Sequence, residues 1–146
     1  MIKLSNMKGI SDNSQDKIVL KPWGQETIFI PRNLKYTFKM LTIKKGCRIS
    51  LQSHDEKRET FVLVSGEAFL TTGRSLKSLR TLKMEPFRGY TITIKTIHRI
   101  AAGTSDAIII EGSTAEIGTT IRYEDDYNRS DETPSVRKKR GRGWHK

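Results

Sequence analysis

Thiol chemistry is nearly absent from this chain: Cys47 is the single cysteine in 146 residues. An internal disulfide framework and a thiolate metal site are therefore excluded, and a reducing compartment fits. Long apolar runs are also missing. The opening stretch, Met1 to Leu20, mixes Lys3, Lys8, Asp12, Asp16 and Lys17 with small polar residues. Such a stretch is neither a secretory signal nor a membrane span, so a cytoplasmic protein with no membrane association is expected. Extended helical periodicity is lacking too. Leu76, Leu79 and Leu82 recur every third residue, but the segment is short and reads as a loop plus a strand. No internal repeat or low-complexity tract precedes the C-terminal stretch.

Acidic residues are missing from residues 135–146, which read SVRKKRGRGWHK and hold six Lys or Arg. About half of the net charge of +11 therefore sits in one terminal run. Runs of like charge are usually solvated and disordered. This one offers contact with phosphates of nucleic acid or with anionic lipid, but the distribution argues against a dedicated nucleic-acid function. The chain length suits one domain. The expected division is an N-terminal arm over 1–19, a folded domain over 20–129 and a basic, disordered tail over 130–146.

What is present between Gln25 and Arg122 is a succession of short strands. Tyr36, Phe38 and Met40 alternate with Thr37, Lys39 and Leu41, a period of two. Lys44-Lys45-Gly46 reads as a turn and 48–52 as a short strand. Runs 60–64 and 67–71 are rich in β-formers and separated by Ser65-Gly66, which reads as a tight hairpin. Further strands are expected over 90–94, 99–102, 107–111 and 118–122. Many short strands with close turn signals predict an all-β sandwich or barrel. Tyr36 and Phe38 also fit pairing of two copies into a homodimer.

Within this pattern lies a constellation: Gly46, Gln52, His54, Glu59 and Gly66, with His98 further on. An amide oxygen, two imidazoles and a carboxylate suit one divalent ion of the zinc, manganese, iron, cobalt or nickel group. Gln52 and His54 are two apart on a strand and project to one face, which Arg48 and Ser50 share. Glu59 is expected to open the next strand and pair back on the first. His98 is expected from a strand across the barrel.

The spacing from Gly46 through Gln52, His54 and Glu59 to Gly66 resembles the first cupin motif, with Gln52 where a histidine is usual. That exchange resembles the mannose-6-phosphate isomerases, including the cupin domain of the bifunctional isomerase–guanylyltransferase proteins. Lys21-Pro22-Trp23-Gly24 looks like their opening Pro-Trp-Gly signature. The runs 49–52 and 96–100 are similar to those around the first and last ligands, and 122–129 resembles the closing Asp-x-Tyr-Gly-Arg element. The likeness covers roughly residues 20 to 129. It implies a small double-stranded β-helix barrel, also called a jelly roll, with a metal set of Gln52, His54, Glu59 and His98. There are departures. The second cupin motif usually places Gly, Pro, Gly and Asn where this chain has Phe87, Thr93, Lys95 and Ala102, so the turn before His98 is built without glycine. Asn128 stands at the closing glycine.

The activity implied is interconversion of mannose 6-phosphate and fructose 6-phosphate. It calls for one divalent ion, zinc foremost, with cobalt, manganese, magnesium, iron or nickel as the other choices. A general base must move a proton between C1 and C2 through an enediol. Lys57 and Glu67 are the candidates for it. A cationic clamp must hold the phosphate, with Arg48, Arg99, Arg122 and Arg129 as candidates and Ser50 beside them. Trp23 is read as a packing residue. Other classes stay open: a cupin that binds a sugar phosphate or sugar nucleotide without turnover, an oxygenase or epimerase, and a basic interaction protein with a scaffold barrel.

Overall fold

The computed structural model describes residues 8–10, 17–30 and 34–139. Its strands are β1 Lys17–Lys21, β2 Gly24–Ile28, β3 Tyr36–Ile43, β4 Leu51–His54, β5 Glu59–Ser65, β6 Ala68–Gly73, β7 Arg80–Lys83, β8 Gly89–Ile92, β9 Ile97–Ala102, β10 Ala107–Thr114 and β11 Thr120–Glu124. A 3-10 turn, Leu76–Ser78, precedes β7, and a short helix α1, Pro134–Lys139, follows β11. Six strands form one sheet in the order β1-β2-β3-β10-β5-β8, and five form a second in the order β11-β4-β9-β6-β7. The named strand pairs are all antiparallel. Among the described residues no helix is long and apolar enough to cross a membrane.

Side-chain alternation explains how this barrel acquires two kinds of interior. Register places Ala107 with Ile43, Ile109 with Leu41 and Leu63, Glu111 with Lys39 and Phe61, and Ser113 with Thr37 and Glu59. The first rows are apolar and join Trp23, Leu70, Met84 and Ile100 in the core. Further along the same strands the inward positions turn polar, and Thr37, Lys39, Glu59 and Glu111 are buried all the same. Tyr36 and Phe38 are the exposed members of β3.

Three expectations of topology are corrected. Ser65-Gly66 does not close a hairpin, because β5 and β6 belong to different sheets. Gly66 takes φ +86° at this corner, and a Cβ there would run into the Asp106 carbonyl, so the chain crosses between sheets where only glycine fits. Likewise β5 does not pair back on β4, whose neighbours are β11 and β9. Thus Glu59 arrives from the opposite sheet, and His98 is the neighbour, in register with Gln52.

The boundaries also shift. Strand β1 starts at Lys17, inside the expected arm, and Arg48 makes only an isolated bridge to Ala101 before β4 begins at Leu51. Residues 130–139, expected within the disordered tail, instead pack on the barrel: Glu132 bridges Thr120, and Arg137 of α1 is buried. Residues 140–146, with the rest of the basic run, lie outside the described residues, as does most of the expected arm.

Candidate metal centre

Strand β4 ends at His54 and β9 carries His98 beside it, with ring centroids 5.3 Å apart. Across the barrel the first residue of β5 brings in Glu59. His54 Nε2 lies 3.0 Å and His98 Nε2 2.7 Å from the same carboxylate oxygen, Glu59 Oε1. All three residues are buried, and their ligand atoms lie within 4.8 Å of one another.

The opposite ring nitrogens decide what these atoms offer. His98 Nδ1 donates to the Thr96 carbonyl at 3.0 Å. A carbonyl only accepts, so that nitrogen carries the proton, and Nε2 of a neutral ring keeps a lone pair. His98 Nε2 is also the buried side-chain atom without a hydrogen-bond partner among the described residues. Its 2.7 Å approach to Glu59 is close but misaligned, and we read it as two donor atoms aimed at one shared point rather than as a hydrogen bond. His54 Nδ1 is held by the Thr120 hydroxyl at 3.0 Å, and its Nε2 faces the same point, hydrogen-bonded to Glu59 Oε1 at 3.0 Å. Burial pushes the His54 pKa down against the pull of Glu59, which favours the neutral ring a metal requires. Gln52 completes the row: its amide lies 3.4 Å from His54 Nε2 on one side and accepts from Ser50 Oγ at 2.6 Å on the other. As placed, the amide turns its nitrogen to His54; oxygen and nitrogen exchange by a flip, which would turn the oxygen there instead.

The turn that delivers His98 is made without glycine. Lys95 adopts φ +59°, a left-handed conformation costing about 1 kcal/mol for a residue with a Cβ. Its N–H donates to the His54 carbonyl at 2.7 Å, and Thr96 N–H donates to the Thr93 carbonyl at 3.2 Å. Hydrogen bonds therefore hold the turn that family glycines would relax. Phe87 and Asn128, at the other exchanged glycine positions, are left-handed as well, with φ +61° and +53°.

Beneath the three donors runs a buried charge network. Lys57 Nζ reaches Glu111 at 2.7 Å, Glu59 Oε2 at 2.9 Å and Glu116 at 3.4 Å. Lys39 lies 2.8 Å from Glu116, 3.6 Å from Glu111 and 3.7 Å from Glu26, which also meets Lys21 at 3.4 Å. Among the described residues, four carboxylates face three ammonium groups in these contacts, a balance that suits an added cation. Burial raises the cost of charging Glu59, but Lys57, His54 and His98 outweigh it and hold its pKa well below the usual carboxylate range. Burial likewise opposes the Lys57 charge, yet Glu111, Glu116 and Glu59 raise its pKa well above the ordinary lysine value.

Several expected site residues fall elsewhere or take other roles. Lys57 is in place but cannot be a base: its three protons go to three carboxylates, and its environment keeps it charged. Glu67 caps the turn at Thr104, accepting from that backbone N–H and hydroxyl at 2.9 Å and from Lys83 at 2.7 Å. Those bonds lower its pKa to about 2 and spend it on structure. Arg99 is locked by the Ile49 carbonyl and Glu124. Arg48 is forked onto Asp126 and Arg129 onto Asp125. Arg122 alone of the four arginines touches the ligand row, through Ser50 Oγ at 3.3 Å, and it also pairs with Glu132 at 3.6 Å. The sequence reading passed over Glu26, Lys39, Glu111, Glu116 and Thr120. The signal for Lys39 was available: it shares the alternating face of β3 with buried Leu41.

Two sheets closed around a His–Glu–His cluster define the class, a cupin barrel with a site able to hold a metal ion. Similarity agrees. The pattern described as mannose-6-phosphate isomerase C-terminal matches residues 8–132, and the chain belongs to that family. The alginate biosynthesis protein AlgA of Pseudomonas aeruginosa is 29% identical over 136 residues, covering 90% of this chain and 27% of AlgA. The xanthan biosynthesis protein XanB of Xanthomonas campestris is 29% identical over 126 residues, covering 84% and 26%. The chain thus spans about a quarter of the length of these relatives. In fold it resembles the capsular polysaccharide assembling protein CapF of Staphylococcus aureus, with a TM-score of 0.61 at 17% identity over 81% of this chain and 34% of CapF. It also resembles the oxalate decarboxylase of Bacillus subtilis, a protein with Mn(II) centres, with a TM-score of 0.62 at 15% identity over 76% and 31%.

Proposed function

We propose that this chain is a metal-dependent isomerase of the mannose-6-phosphate type, interconverting an aldose and a ketose phosphate. The observation that carries the reading is the convergence of His54 Nε2, His98 Nε2 and Glu59 Oε1 on one buried point, with His98 Nε2 left without a hydrogen bond. Gln52, His54, Glu59 and His98 would hold the ion, and the all-nitrogen-and-oxygen set favours zinc with cobalt or manganese as substitutes. A bound divalent ion would polarise the sugar oxygens during enediol formation.

The chain's own residues supply the setting. Lys57 fixes Glu59 Oε2, which leaves Oε1 to face the imidazoles. Arg122, partly buried beside Ser50 and Gln52, is the arginine best placed for the substrate phosphate. Family membership and likeness to alginate and xanthan biosynthesis proteins support a role in making sugar precursors of polysaccharides, in the cytoplasm. Exposed Tyr36 and Phe38 support a homodimer paired through the six-stranded sheet.

One observation favours a second reading, a cupin that binds the sugar phosphate without turning it over: neither Lys57 nor Glu67 fits the base role. A coupled assay with mannose 6-phosphate and added metal separates the two. Turnover with zinc, cobalt, manganese or magnesium supports the isomerase. Saturable binding with no turnover under any of these ions sinks it in favour of the second reading.

A further inference from the structure

Helix α1 lies beyond residue 132, where the family match ends, yet it is tied to the metal centre. A helix of six residues has little stability alone, so its position must come from tertiary contacts. Arg137 supplies them. It is 3% exposed, and its guanidinium donates to the Glu116 carbonyl at 3.1 Å, the Gly118 carbonyl at 3.0 Å and Glu132 Oε1 at 3.3 Å. Thr133 caps the helix start, accepting from the Val136 N–H at 3.2 Å.

Two paths lead inward from this clasp. Glu132 exchanges both backbone hydrogen bonds with Thr120, at 3.0 and 2.9 Å, and the Thr120 hydroxyl holds His54 Nδ1. The segment whose carbonyls Arg137 grips also carries the Glu116 side chain, which meets Lys39 and Lys57, and Lys57 meets Glu59. His98 meets only the far end of the second path, through Glu59 at 2.7 Å, while its Nδ1 is held by Thr96 outside both.

We propose that Arg137 is a positioning residue for the candidate metal centre: by clasping the 116–118 carbonyls and Glu132, it fixes the orientation of His54 and the placement of Glu116. Partners of this kind fix the ring orientation of a ligating histidine and tune its affinity for metal. The proposal rests on the metal reading only for its consequence in affinity; the clasp itself can be tested without metal.

The test uses the full chain carrying Arg137→Ala or Arg137→Lys, each checked for a folded circular dichroism spectrum. In metal-free protein, imidazole nitrogen shifts by NMR should move more for His54, whose Nδ1 partner Thr120 is tied to the clasp, than for His98. Amide exchange should speed up across 116–120. On cobalt titration Arg137→Ala should bind about 10-fold more weakly, and Arg137→Lys should fall between it and the wild type. Unchanged His54 shifts and unchanged exchange in folded Arg137→Ala would overturn the proposal, as would equal shifts of both histidines. Should Arg137→Ala not fold, the same readings on Arg137→Lys decide the matter. If the wild type takes up no cobalt, the metal reading fails while the His54 measurement still decides the clasp.

Discussion

Replacing Lys57 with Met removes one ammonium from a buried network and keeps the volume of the side chain. Lys57 lies within 3.4 Å of three carboxylates, and all these groups are largely buried. The network then becomes more negative by one charge. Breaking a buried ion pair by deleting one partner costs about 3–5 kcal/mol, because the remaining charges stay desolvated. The cost must depend on pH. Lys57 keeps Glu59 ionised well below the ordinary carboxylate pKa; without it the carboxylates take up protons more readily and shed their repulsion as pH falls. Urea unfolding at about pH 7 and about pH 5 should therefore show a loss near the full range at the higher pH and a smaller one at the lower. A loss under about 1 kcal/mol, the same at both pH values, is what a solvated surface pair would give, and it would refute the reasoning.

Other outcomes are expected. His98→Ala should lower cobalt affinity by more than about 100-fold, beyond what loss of a supporting partner does, as read by titration of metal-free protein; retained affinity would remove His98 from the site. Lys95→Gly should raise stability in urea by up to about 1 kcal/mol by relieving the left-handed conformation, and a loss would mean that the side chain contributes more than the backbone costs. The melting temperature should fall as pH drops through the ordinary histidine value of 6.5, since the unfolded chain protonates His54 and the folded chain resists. It should fall again below 4.5, where Glu26 and Glu59 hold depressed values; Glu111, which burial pushes upward, offsets part of the loss only above 4.5. A melting temperature that rises on acidification would contradict these signs.

Most strands from β3 onward were legible from alternation and turn residues, and the residue types of the candidate site from spacing, because both are local properties. Partner choice was not. Ser65-Gly66 is short enough for a hairpin and equally suited to a corner between sheets; only the carbonyl of Asp106 packed against Gly66 tells them apart. Glu59 and His98 were thus expected on each other's sides of the barrel. The ion network was hidden for a similar reason. Lys39, Glu26, Glu111 and Glu116 each look like a solvated strand or loop charge, and their mutual compensation exists only once four distant segments meet. Lys95 shows the converse: its side chain disfavours the angle it takes, but hydrogen bonds from Lys95 and Thr96 enforce it.

Because the carboxylate belongs to one sheet and both imidazoles to the other, the three donors gauge the distance between the sheets. That distance is set by the apolar rows deeper in the barrel, and Phe61, whose ring centroid lies 6.1 Å from that of His98, stands at the boundary. Interiors packed this densely transmit a missing methylene as a shift of their walls. Trimming Phe61 or Ile100 would therefore change the spacing of the three donors without touching any of them, and the barrel's core acts as the calliper that sets that spacing.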